Sequence, residues 1–200
     1  DRLVAQAGIP KPRVAISGTD VPNAFATGRN PSHSVVCVTQ GILRRLSNDE
    51  LEAVLAHELT HIKNRDVMVI TMASFFATMA GMLGQWLFWM SLFSGGRRDR
   101  RNSGGGALLL AWLVSMVVYW IATLLILALS RYREYAADRG GAILIGAPAR
   151  LASALMKISG AIARIPTEDL RKVAGANAFF IIPAIKGDAL AELFSSHPPV

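Results

Sequence analysis

Two runs without a charged residue, Val67 to Phe93 and Ala107 to Ser130, set the terms for the rest of this chain. At ~1.5 Å per residue in a helix, each is long enough to cross a hydrocarbon core ~30 Å thick. The competing interpretation is a pair of fully buried helices in a soluble protein. Against it stand the length of both runs and the placing of Trp86, Trp89, Trp112 and Trp120 within them. Hydrophobic residues reach 52% and charged residues only 18%, and mean hydropathy is positive, which suits membrane spans better than a soluble domain. Between the runs, Ser94 to Gly106 is Gly-rich and carries Arg97, Arg98, Arg100 and Arg101, the composition of a flexible connector. If both runs span, residues before Val67 and after Ser130 lie on the same side of the membrane. An antiparallel hairpin then returns the chain close to where it entered.

The residues at the point of entry carry chemistry. His57-Glu58-Leu59-Thr60-His61 is an H-E-x-x-H sequence. On a helix its two histidines are one turn apart and face the same way, so they can hold one metal ion, with Glu58 placed to activate water. The helix is well signalled: Ser47 and Glu50 make an S-x-x-E capping box, and Leu51, Val54, Leu55, Leu59 and Ile62 recur at helical spacing. A pair of surface histidines on an amphipathic helix is the plainer alternative. The chain has only four histidines, however, and two of them occupy this pattern with Glu between them. The segment that returns after the second run is Ser130 to Asp138, with Glu134 and Asp138 four residues apart and so on one helical face. Such a site lacks a third zinc ligand from a later helix and a carboxylate to hydrogen-bond a liganding imidazole, and these two acids can supply them. Taken alone, they also fit a solvated helix end with arginine partners.

Upstream, residues 1–46 read as short strands between turns. Pro10 and Pro12 break any preceding helix, Arg13 to Ile16 alternates, and Ser17 to Asp20 turns the chain. Asn23 to Thr27 is a second extended run closed by Gly28 to Pro31, and β-branched Ser34 to Thr39 makes a good central strand. Gly41 to Leu46 is a turn or short helix delivering the chain to Ser47. Downstream, Pro148 to Ile162 is an amphipathic helix with Leu151, Leu155 and Ile158 on its apolar side. Asn177 to Ile182 reads as a buried strand, and Leu190 to Phe194 as a helical turn before Ser195 to Pro199. On spacing alone, His197 is a structural histidine beside proline, and His33 an exposed turn residue. The expected organisation is a first catalytic part over 1–66, two transmembrane helices over 67–130, and a second catalytic part over 131–200.

The net charge of +7 does not mark a nucleic-acid surface, because the arginines do not alternate with aromatics along a polar face. They lie scattered or next to the apolar runs, where anionic lipid head groups would meet them. The single cysteine, Cys37, excludes an internal disulfide and reads as core packing. Asp1 in place of an initiator methionine, and the close at Val200 after Pro-Pro, read as a segment of a longer protein. Oligomeric state is not encoded in any of these patterns.

Together, His-Glu-Leu-Thr-His at 57–61, two spans, and Ser-Arg-x-x-Glu-Tyr-x-Ala-Asp at 130–138 resemble the HtpX-type membrane metalloproteases, relatives of the zinc CAAX prenyl proteases. Asn-Ala-Phe-Ala-Thr-Gly at 23–28 and Ser-x-His-Pro-Pro at 195–199 also look like that family's motifs, so the similarity runs from about Pro22 onward. The resemblance implies an α+β, zincin-like (gluzincin) catalytic domain with a small sheet, interrupted by the membrane hairpin. It implies one zinc ion per chain on His57, His61 and Glu134, with Glu58 as general base and Asp138 orienting His57. Asn23, Ala24, Phe25 and Ala26 would form the edge to which an extended substrate adds, and His197 would help stabilise the oxyanion. It further implies an ATP-independent endopeptidase of misfolded or damaged membrane proteins, a quality-control and stress-response role, in the cell (inner) membrane with its catalytic face in the cytoplasm. The family's N-terminal membrane hairpin is missing. The Arg-rich loop would be on the outer side, against the positive-inside tendency, and Lys63, Arg65, Arg131, Arg133 and Arg139 roughly offset it.

Three rivals are weaker. An inactive zinc-binding membrane scaffold has no need of Glu58, since structural sites are closed. A channel or transporter component would carry ionisable residues in its spans, and these have none. A CAAX-type processing protease shares the chemistry, but two spans give no sign of the multi-helix chamber of those relatives.

Overall fold

The structure, a computed structural model, describes residues 1–94 and 104–165. The expected strand at 177–182, the turn at 190–194, His197 and the arginines at 97–101 lie outside the described residues. Helix α1 (Arg2–Ala7) ends at Gly8, whose φ of 67° takes the left-handed turn that Gly adopts without strain. Residues 1–46 are therefore not only strands and turns. Strands β1 (Arg13–Ser17), β2 (Ala24–Asn30) and β3 (His33–Thr39) follow, then helix α2 (Gln40–Arg45).

The three strands form a mixed sheet in the order β1-β3-β2. The β-branched strand is central as its composition demands, pairing in parallel with β1 and antiparallel with β2. Strand β2 runs past Gly28 to Asn30 because a bulge there absorbs the register shift. Gly28, at φ 145°, lies so close to the partner strand that a Cβ would stand 2.3 Å from the His33 carbonyl oxygen. Val36 and Val38 are buried on one face of β3, and half-buried Cys37 alternates to the other.

Helix α3 (Asn48–Lys63) is the element around which this part of the chain packs. Its start carries the capping box in full: Ser47 Oγ accepts from the Glu50 amide, and Glu50 Oε2 accepts from the Ser47 amide at 2.9 Å. Buried Glu50 also accepts from Ser153 Oγ at 2.7 Å and pairs with Lys157 Nζ at 2.7 Å. Those two residues belong to helix α6 (Pro148–Ile162), so one carboxylate both caps α3 and holds α6 against it. Val54 packs with Leu151, Ala154, Ile158 and Ile162 of α6, while Leu59 and Ile62 pack on Val36 of the sheet. Burying each such aliphatic side chain contributes roughly 1.5–3 kcal/mol.

The described chain divides into two compact units: Asp1–Met68 with residues from Ser130 onward, and Val69–Leu129. The second unit holds the apolar lengths of helices α4 (Asp66–Ser94) and α5 (Gly104–Ile145). They run antiparallel: Gly81 lies against the Tyr119 ring, Gly84 against Ser115, and the Phe88 and Trp112 rings sit 5.3 Å apart. Small residues at a helix contact let two backbones approach, as in membrane helix pairs. Both helices pass the length and composition test for a membrane span. Little of the most apolar stretch of α4 and none of that of α5 is buried, unlike the core helix of a soluble protein. Phe75, Phe76, Trp86, Trp89, Trp120 and Leu125 are exposed. Such a surface marks a membrane protein.

Candidate metal centre

Two imidazoles on successive turns of α3 and one carboxylate from α5 converge on a single point. His57 and His61 bring their Nε2 atoms to 3.1 Å of each other. Glu134 Oε2 lies 3.7 Å from the first and 3.6 Å from the second. His57 and Glu134 are buried, and the His61 side chain is nearly so. Glu58, the next residue to His57, is also buried.

What lets α5 come so close is the pair Gly140-Gly141, one to two turns beyond Glu134. A Cβ on Gly141 would stand 3.0 Å from the His57 amide nitrogen and 3.2 Å from its Cα. The backbones are thus nearly in contact at the liganding residue, and Glu134 and Asp138 on the same face of α5 are carried to the imidazoles.

The far nitrogens of both rings face carboxylates. His57 Nδ1 is 2.9 Å from Asp138 Oδ1, and His61 Nδ1 is 2.6 Å from Asp66 Oδ2. Arg133 Nε lies 3.4 Å from the same Asp66 oxygen. A carboxylate that accepts the Nδ1–H, as Asp66 does at His61, leaves the Nε2 lone pair pointing inward, and Asp138 faces His57 Nδ1 at ion-pair distance. Three acceptors then meet in a buried space, an arrangement that calls for a cation. Tetrahedral zinc with ligands at 2.0–2.1 Å would set its ligand atoms roughly 3.3 Å apart, close to the spacing found. Among the described residues, His57, His61 and Glu134 can place their ligand atoms within 4.8 Å of one another. The donor set fits zinc.

Electrostatics say the same. Burial pulls the His57 imidazole down, but Asp138, Glu134 and Glu58 more than reverse this, and its pKa is pushed up to about 10. For His61, burial again acts downward, while Asp66 and Glu134 prevail against burial and the neighbouring His57, raising it to about 9. Without a metal, this acidic pocket takes up protons in its place.

Of the residues expected from the sequence, His57, Glu58, His61, Glu134 and Asp138 are thus brought to one place. Ala24, Phe25 and Ala26 lie in β2, and buried Asn23 directly precedes it, its amide donating to Thr39 Oγ1 at 2.9 Å. Strand β2 is an edge of the sheet among the described residues. A recess beside it is walled by Ala26, Thr27 and Gly28 on one side and by His61 and Asp66 on the other. The contact of Asp66 with His61 was not legible in the sequence. Its spacing of five from His61, across the start of a new helix, forms no recurrent pattern from which to find it.

A buried H-E-x-x-H pair closed by a carboxylate from a distant helix defines the class, a metallopeptidase-type centre, and comparison with known proteins agrees. The family model for peptidase family M48 matches residues 1–200, and the chain belongs to that family. Among curated relatives it is 60% identical over 200 residues to a protein named Protease HtpX homolog from Moorella thermoacetica, covering 99% of this chain and 66% of that protein. It is 59% identical over 199 residues to Protease HtpX homolog 2 from Methanosarcina acetivorans, covering 100% of this chain and 66% of that one. The Protease HtpX homolog from Pyrococcus furiosus is 48% identical over 199 residues, with 100% and 67% covered. The chain thus spans about two thirds of the length of these relatives. No solved structure matches it.

Proposed function

We propose that this chain carries the catalytic centre of a membrane-embedded zinc endopeptidase of gluzincin arrangement. The observation that carries the reading is the convergence of His57, His61 and Glu134, with Glu58 buried beside them. His57, His61 and Glu134 would hold one zinc ion. When bound, zinc supplies Lewis acidity that polarises a peptide carbonyl and brings the pKa of water to about 7. Glu58 would take a proton from the attacking water as its oxygen bonds to the carbonyl carbon, and hand it to the leaving amine nitrogen as the C–N bond breaks. Asp138 and Asp66 keep both imidazoles in the tautomer that presents Nε2. The outer edge of β2 over Ala24 to Ala26 would offer backbone N–H and C=O groups to an extended peptide beside the recess at His61, while the Asn23 N–H and C=O are already engaged by Thr39. His197 is assigned, through the family's Ser-x-His-Pro-Pro motif, to stabilising the oxyanion.

The substrates that fit a site borne on membrane spans are misfolded or damaged membrane proteins, cleaved without ATP. The protein is placed in the cell membrane as a multi-pass chain with this centre on the cytoplasmic side. The names of these relatives support protease activity. The test is casein cleavage by detergent-solubilised protein, with and without a zinc chelator, beside Glu58→Gln. That variant should keep one zinc and lose ~10²–10⁴-fold in rate; cleavage at the parent rate would refute the assignment.

A further inference from the structure

Helix α5 presents two opposite faces beyond its apolar run. At about 100° per residue, Glu134, Asp138 and Gly141 lie along one face, and Tyr132, Tyr135, Arg139 and Ile143 along the other. The second face is exposed: Tyr132 and Ile143 are each 71% exposed and Tyr135 is 59% exposed. With Lys63 and Asn64 at the end of α3 it lines a concavity of about 520 Å³. Among the described residues no carboxylate lines that hollow and Lys63 and Arg139 make no ion pair, whereas Arg133 on the buried side is paired with Asp66.

We propose that this hollow binds the head group of an anionic phospholipid, with Lys63 and Arg139 on the phosphate and Tyr132 and Tyr135 at the boundary with the acyl chains. The inference rests on reading α4 and α5 as membrane spans. Tyr132 and Tyr135 follow the charge-free run within two turns, at the level where amphipathic aromatic rings settle in a bilayer. Side chains on a helix lean toward its N-terminus, so Arg139 reaches back toward Tyr135 and the apolar run, not away from it. Two cations with no ion-pair partner and no acid beside them, among the described residues, give the complementarity for a phosphodiester. The phosphate must come from lipid, because the aromatic and aliphatic wall of the hollow adds nothing for a free anion.

The protein in neutral detergent is titrated calorimetrically with short-chain phosphatidylglycerol, short-chain phosphatidylcholine and glycerol phosphate. Phosphatidylglycerol should bind more tightly than phosphatidylcholine, by roughly fivefold for each basic side chain at the surface, and glycerol phosphate should give no binding heat. K63Q/R139Q, which alters only exposed side chains, should bring the two lipids to equal affinity, while R13Q, an exposed charge on β1, should keep the preference. Equal affinities in the parent, an unchanged preference in K63Q/R139Q, or glycerol phosphate binding as tightly as the lipid would each overturn the inference. Flotation of the parent on phosphatidylcholine vesicles runs alongside. If it floats while K63Q/R139Q keeps the preference, the spans stand and the head-group site falls. If it does not float, the membrane reading falls and the site with it.

Discussion

Asp66 and Asp138 sit one ring away from the point where His57, His61 and Glu134 meet, and each faces a histidine Nδ1. Replacing either with Asn keeps the shape but exchanges a charged acceptor for a neutral amide. Asp66→Asn and Asp138→Asn should each weaken zinc binding by ~10–100-fold, measured by competition with a chromogenic chelator. Protons compete for the same atoms. Both imidazole pKa values are raised in the metal-free protein, to about 10 and about 9, so at neutral pH a metal ion must displace protons held by the pair. Apparent zinc affinity should therefore climb as pH rises from 6 to 8, by up to about two decades per pH unit. The same chelator competition, run across that range, reads the slope; a flat profile would mean that the metal-free rings are already neutral.

At the level of elements, two contacts decide whether the centre assembles. Gly141→Ala puts a methyl group 3.0 Å from the His57 amide, and backbone cannot rotate aside as a side chain can. Helix α5 must then retreat from α3, with Glu134 and Asp138 on it. A loss of ~1–3 kcal/mol in stability is expected from the overpacking, with weakened zinc binding alongside; chemical denaturation and the chelator assay measure the two. The other contact is Glu50. Lys157 first, then Ser153 and the Ser47 amide, hold its pKa down to about 2 from 4.5. A carboxylate depressed on folding stabilises fully above its unfolded pKa, and that contribution fades as pH falls through the folded value. The unfolding midpoint should drop between about pH 4.5 and about 2, and Glu50→Gln should flatten that part of the curve.

Across the whole molecule, what the sequence disclosed tracks how local the cause is. The capping box at Ser47, the β-branched run that became β3, the amphipathic pattern of α6 and the two apolar helices each declare themselves within a few residues, and each is found. The union of Glu134 with His57 and His61 was reachable because a hairpin constrains where its ends return. The sheet order β1-β3-β2 was not, since a parallel pair formed across an intervening strand leaves no mark on either partner. Asp66 escaped for a similar reason. Its reach to His61 depends on Arg65 taking a left-handed φ of 57°, and a non-glycine residue gives no warning of that.

That corner at Arg65 joins two trades in one residue pair. Asp66 steadies a histidine of the H-E-x-x-H helix and is also the first residue of α4. A soluble version made by trimming the chain at the lipid boundary must therefore retain Asp66 and the bend before it, or His61 will swing loose in a protein that otherwise looks folded.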